Sequence, residues 1–171
     1  AVWPTLQDKH LQSAAVGVAA NAPILFVQAA VAAPAPDALA GFVPHIVRAL
    51  ANKRDSALAA KLIGTLADSP AAADGLKQAA LEALAANLNT GVAPAWNADL
   101  QAAFNALLKS ARPGVPGAAL PLIARWDTGG ALADGLKPVI QQLTGKLEDA
   151  SVPANERGRS PMQPVCANRL R

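Results

Sequence analysis

Cysteine is almost missing from this 171-residue chain, and tyrosine is missing altogether. A single thiol, Cys166, excludes an intrachain disulfide and leaves a periplasmic and a cytoplasmic setting equally open. Aromatic mass is limited to three Trp and three Phe. Val, Ile and Thr are thin and mostly isolated, which argues against a sheet. There is no basic face either. The net charge of +3 arises in residues 150–171, where Arg157, Arg159, Arg169 and Arg171 meet only Glu156. The remainder balances to zero, so no nucleic-acid partner is expected. The longest apolar stretch, Ala14 to Ala33, is interrupted by Asn21, Pro23 and Gln28. It reads as two packed helices around a turn, and no membrane span is expected. No signal-peptide pattern opens the chain. It begins Ala-Val-Trp-Pro without Met, as expected of a processed protein or a piece of a longer one.

What is present in abundance is Ala, about a quarter of all residues. Ala is the strongest helix former, and its short side chain lets helices approach closely. Pro, Gly, Asn and Asp cut the chain into eight expected helices. These run about 5–20, 22–33, 38–51, 56–67, from Ser69-Pro70 to 88, from Asn97 or Asp99 to 110, 115–126, and from Gly130 to 147. Asp37 is expected to cap the third helix, and Ser69-Pro70 to start the fifth as a capping Ser with Pro at the first helical position. Apolar spacing is helical: Leu58, Leu62 and Leu66 beside Ile63; Leu76, Ala80, Leu84 and Leu88 beside Leu81; Leu100, Phe104, Leu107 and Leu108 opposite Gln101, Asn105 and Lys109. First members of successive pairs recur about every 32 to 44 residues, the period of helical-hairpin solenoids.

In the second pair, Pro44-His45-Ile46-Val47-Arg48-Ala49-Leu50 is followed by Asp55 and then by Ala59-Ala60-Lys61-Leu62-Ile63-Gly64-Thr65-Leu66. This resembles a HEAT repeat, with its Pro in the first helix, acidic turn residue and Ala-Ala…Leu-Gly-x-Leu second helix. The resemblance covers about residues 37–67. It implies an all-α protein, a right-handed α-α superhelix (a HEAT-like solenoid of the ARM/HEAT kind) of about four antiparallel helix pairs. It also implies a kinked first helix at Pro44. Interior Pro costs about 3 kcal/mol; Pro138 falls in an expected second helix, so either the pairing shifts there or that helix is kinked. Leu62–Ala85 and Gly117–Asp127 look like the HEAT-repeat region of large bacterial membrane-bound dehydrogenases that also carry a c-type haem domain. The haem motif of that family, Cys-x-x-Cys-His, is not matched by Cys166-Ala167-Asn168-Arg169. Haem attachment and dehydrogenase chemistry are therefore not carried over, and no cofactor is expected. The expected domain is 1–149, followed by a basic, weakly ordered tail over 150–171.

Reactive constellations are thin. His10 and His45 lie on different expected helices, and a zinc site would need both together with a carboxylate or Cys166. No nucleophile elbow occurs. Thr144-Gly145-Lys146 lacks the spacing of a phosphate loop, and Gly129-Gly130 reads as a turn. Glu148 and Asp149 read as a solvated pair. Trp3, Trp96 and Trp126 read as packing wedges rather than ligand platforms. A non-catalytic scaffold or interaction module is the leading expectation, the chain being a fragment of a larger one, and no metal is expected. Its partner would be a protein or peptide docking on the second helices through Lys61, Thr65, Gln101, Asn105, Lys109, Gln141 and Gln142. The alternative is a weak hydrolase drawing on His10, His45, Asp127 and Cys166. Exposed stack ends offer a route to homo-oligomers.

Overall fold

A computed structural model describes residues 8–151. Those residues form helices and turns with no strand among them. Eight α-helices follow in order: α1 (Lys9–Asn21), α2 (Pro23–Val31), α3 (Val43–Asn52), α4 (Ser56–Ala67), α5 (Asp74–Asn87), α6 (Ala98–Leu108), α7 (Gly114–Trp126) and α8 (Ala133–Ser151). Short 3-10 turns at Pro36–Leu39 and Ala71–Ala73 precede α3 and α5.

Local chemistry explains most boundaries. The carboxylates of Asp8 and Asp55 accept the first free N–H groups of α1 and α4, and the Asn97 amide oxygen does the same for α6. Pro23 occupies the first turn of α2, where its missing N–H costs nothing. Arg54, at φ 53°, and Gly130, at φ 69°, take the left-handed conformation that reverses the chain before α4 and α8. The turn at Ala22 bends α1 from α2 by 106°, and no single described helix is long and apolar enough to cross a membrane.

Two start signals act differently from expectation. Pro44 lies in the first turn of α3, because the segment before it is a 3-10 turn rather than helix. Its N–H would have had no helical partner there, so the helix needs no kink. Ser69 does not cap α5. Its hydroxyl donates to the Leu66 carbonyl at 2.6 Å and closes α4, while α5 begins five residues later. Genuine interior prolines are Pro121 in α7 and Pro138 in α8. Trp3, Cys166 and the expected tail from 152 onward lie outside the described residues.

Packing runs chiefly between helices two apart. The widest contacts join α3 to α5 and α5 to α7, with α1 on α3 beside them; α2 packs on α4, α4 on α6 and α6 on α8. Odd helices therefore form one layer and even helices another, and α6 leans on α7 across an expected pair boundary. The expected apolar stripes fill the space between the layers. Leu62, Ile63, Leu66, Leu76, Leu81, Leu84, Phe104, Leu122 and Ile123 are fully buried.

The middle helix, α5, carries no local capping side chain at its start. Asp37 supplies one from far away: its Oδ1 accepts the Leu76 N–H at 3.1 Å. Gly75 makes room, since a Cβ there would sit 2.5 Å from the Asp37 carboxylate. At the other end Arg125 donates to the carbonyls of Leu88 at 3.1 Å and Ala85 at 3.3 Å. Asp37→Ala should cost about 1 kcal/mol by chemical denaturation. Gly75→Ala should cost a similar amount by pushing the same carboxylate away, and the pair should be sub-additive. Full additivity would show that Asp37 and Gly75 do not act through one contact.

Candidate functional site

Two regions collect polar groups. The first lies where the N-terminal ends of α5 and α7 approach the turn before α3. Asp74 and Lys77, one helical turn apart on α5, form an ion pair of 2.8 Å with side chains only 9% and 8% exposed. The Ser110 hydroxyl, from the α6–α7 connection, donates to Asp74 Oδ2 at 2.7 Å. Outside this core, Arg112 reaches Asp37 Oδ2 at 3.1 Å, both half-exposed. Gln78 and Glu82, hydrogen-bonded at 2.9 Å, complete an open cleft of about 320 Å³ over Gly75 and Ala79.

Burial pushes the Asp74 carboxyl up. Hydrogen bonds from Lys77 and Ser110, with the charges of Lys77 and Arg112, outweigh it and hold the group below the usual carboxylate range. That sign matters chemically. A carboxylate held low is a weak base, and the Ser110 proton already rests on it without a third group to receive it. Ser110 is therefore poorly placed to act as a nucleophile. The cluster ties three connections of the chain together.

The second region is the outer face of the even layer. A cleft of about 310 Å³ opens between the ends of α2 and α4, lined by Gln28, Thr65, Asp68 and Ser69. A smaller one, about 210 Å³, lies between α4 and the start of α6, lined by Gly64, Asn97 and Asp99. Lys61, Lys109 and Gln141 are exposed on these helices. Thr65 turns its hydroxyl back to the Lys61 carbonyl at 2.9 Å. Gln101 donates to Ala131 O at 3.3 Å, and Asn105 faces Gly135, where an added Cβ would meet its amide oxygen at 3.1 Å. Those two side chains help seat α8 on α6. The Gln142 side chain lies outside the described ones.

Of the four residues of the hydrolase reading, the three described ones lie on separate elements. His10 is exposed on α1 and His45 on α3. Asp127 belongs to the α7–α8 turn, where its two oxygens accept the N–H groups of Ala131 and Leu132, each at 2.8 Å. Cys166 is outside the described residues. Among the described residues no three His, Cys, Asp or Glu side chains gather as a metal would require. Trp96 stacks on Phe104 at 5.8 Å, and Trp126 meets the same ring edgewise at 5.9 Å. Phe104 is thus held between two indoles in the core, and both expected wedges pack.

Replacing Asp74 by Ala leaves the Lys77 ammonium buried and unpaired. The cost should be about 3–5 kcal/mol near neutral pH. Because the folded carboxyl titrates below its unfolded value, the part of this contribution linked to its ionisation is present above the ordinary carboxylate range and is lost as pH falls through the folded value. Urea unfolding of parent and Asp74→Asn proteins from pH 7 to pH 2 should show their difference shrinking in acid; a constant difference would rule the ion pair out as its source. No protein-family model, curated protein or solved structure is significantly similar to this chain.

Proposed function

We propose that the protein is a helical-repeat scaffold of the HEAT-like kind, four helix pairs wound as a right-handed superhelix, whose even layer receives a protein or peptide partner. The observation that carries this reading is the packing of each helix on the one two places along. Stacks built this way present one continuous face per layer, and such faces are used for extended partners. Support for the even layer comes from its relief. The α2–α4 and α4–α6 clefts lie on either side of α4, each edged by an amide and a carboxylate, and the first also by the hydroxyl residues Thr65 and Ser69. Lys61 and Lys109 add exposed cations, so the face is mixed in sign and suits a polar peptide better than a polyanion.

The hydrolase reading draws no such support. Asp127 has both oxygens engaged by backbone N–H groups that shape the turn into α8.

Site-specific photo-cross-linking in cells discriminates. A photoreactive residue in place of Lys61 or Lys109 should capture one protein, with labelling that saturates. The same residue in place of Arg48, exposed on α3 in the odd layer, should not. Equal capture from all three positions, or from none, counts against an even-layer partner surface.

A further inference from the structure

The cleft between α2 and α4 has an electrostatic sign of its own. It lies where both helices end: Gln28 and Val31 come from the last turn of α2, and Thr65, Asp68, Ser69 and Pro70 from the end of α4. A helix C-terminus is the negative pole of the backbone, with carbonyls that lack helical donors. Two such poles converge here, and neither helix carries a basic residue in its last turn. The side chains add to that sign. Thr65 gives its hydroxyl proton to the Lys61 carbonyl at 2.9 Å, and Ser69 gives its own to the Leu66 carbonyl at 2.6 Å. Both hydroxyl oxygens are left with lone pairs toward the cleft, so there they accept. Asp68 is exposed, and no ion pair among the described residues includes it. Lys61, one turn before Thr65, does not line the cleft, and Gln28 is the one lining side chain with N–H groups. The other two clefts differ. The one over Gly75 already holds a guanidinium, that of Arg112 on Asp37. The α4–α6 cleft opens on the first turn of α6, where the positive pole of that helix offsets Asp99.

We propose that the α2–α4 cleft is a guanidinium site, filled by an arginine side chain of the peptide partner. The partner rests on the even-layer reading above; the preference for a guanidinium rests on the cleft alone. A guanidinium offers five donors in one plane and no acceptor, against a lining that accepts and hardly donates. It is more weakly hydrated than an ammonium, so it gives up less on entering a half-enclosed space. Val31 and Pro70 present apolar surface to its methylene stem, and a cleft of about 310 Å³ has room for one such side chain. The Asp68 carboxylate supplies the opposite charge at the rim, where a bidentate contact fixes the direction of entry.

N-acetyl-arginine amide, titrated into the full chain and followed by amide NMR, tests the site directly. It should bind in the millimolar range and move the signals of Gln28, Thr65, Asp68 and Ser69. The citrulline analogue, alike in shape but uncharged, should leave them in place. Asp68→Asn should weaken the arginine probe about fivefold, and Gln28→Lys, which sets an ammonium at the rim, should abolish its binding. Both variants should keep the parent's amide spectrum away from the cleft, so that loss of binding is not loss of fold. An equal response to citrulline, or shifts confined to other parts of the chain, overturns the guanidinium site. The partner is read separately. With a photoreactive residue in place of Lys61, adding Asp68→Asn should lower capture severalfold. Unchanged capture from a variant that has lost the probe shows that no arginine of the partner enters the cleft, and overturns that half of the proposal. Absence of capture in the parent, with the probe still bound, retires the even-layer partner and leaves the guanidinium site standing.

Discussion

The stack depends on how the ends of α5 are satisfied. A helix leaves its first N–H and last C=O groups without partners, and α5 has no side chain of its own placed to cap its start. Asp37 caps it from 39 residues earlier, and Arg125 holds its last carbonyls from α7. Each contact is worth only about 1 kcal/mol. Full burial of Leu76, Leu81 and Leu84 is worth about 1.5–3 kcal/mol apiece and supplies most of the holding energy. The caps do something burial cannot. Apolar contact is tolerant of sliding, whereas a carboxylate on one N–H and a guanidinium on two carbonyls set how far α5 is drawn along α3 and α7. Gly75 belongs to the same device, since any larger residue would occupy the space of the Asp37 carboxylate.

The buried Asp74–Lys77 pair adds a second constraint at the same place. Such pairs seldom add net stability relative to an apolar core, because desolvation offsets attraction. Their effect is on specificity: an alternative packing that strands either charge is penalised by several kcal/mol. Ser110 extends that penalty to the α6–α7 connection, and Arg112 joins it to Asp37. Three segments distant in sequence, around residues 37, 74–78 and 110–112, thus meet over one helix start. This makes the odd layer a cooperative unit rather than a series of independent hairpins.

The layers were legible in the sequence where the signal was local. Leu62, Leu66, Leu76, Ala80, Leu84 and Phe104 follow a helical period and are buried as that period requires. Asp55 and Asn97 cap the helices they precede. Errors fell where a local signal had a nonlocal use. Ser69-Pro70 has the chemistry of a helix start, but Ser69 finds the carbonyl of the helix behind it nearer. Asp37 has the chemistry of a cap and is one, for a helix two places further on. Asp74 and Lys77 have the spacing of an ordinary surface pair, and nothing in that spacing says that they are buried or that Ser110 reaches Asp74 from the α6–α7 connection. Gln101 and Asn105 read as free amides because the arrival of α8 cannot be inferred from α6.

Composition also bears on what this fold can do. Short Ala side chains let helices approach closely and add little depth to a surface. With no Tyr, and with Trp96, Phe104 and Trp126 stacked among themselves, few long side chains remain to wall a pocket. The clefts described are accordingly open and modest, about 210 to 320 Å³. Enzymes that activate water or a nucleophile rely on a closed site of low dielectric, where placed charges act at full strength. Among the described residues the Asp74–Lys77 ion pair is buried and already neutralised, Arg125 and Asp127 are engaged by backbone groups, and most other charges are exposed. Open clefts of this kind are compatible with the proposed docking of an extended partner through many weak polar contacts.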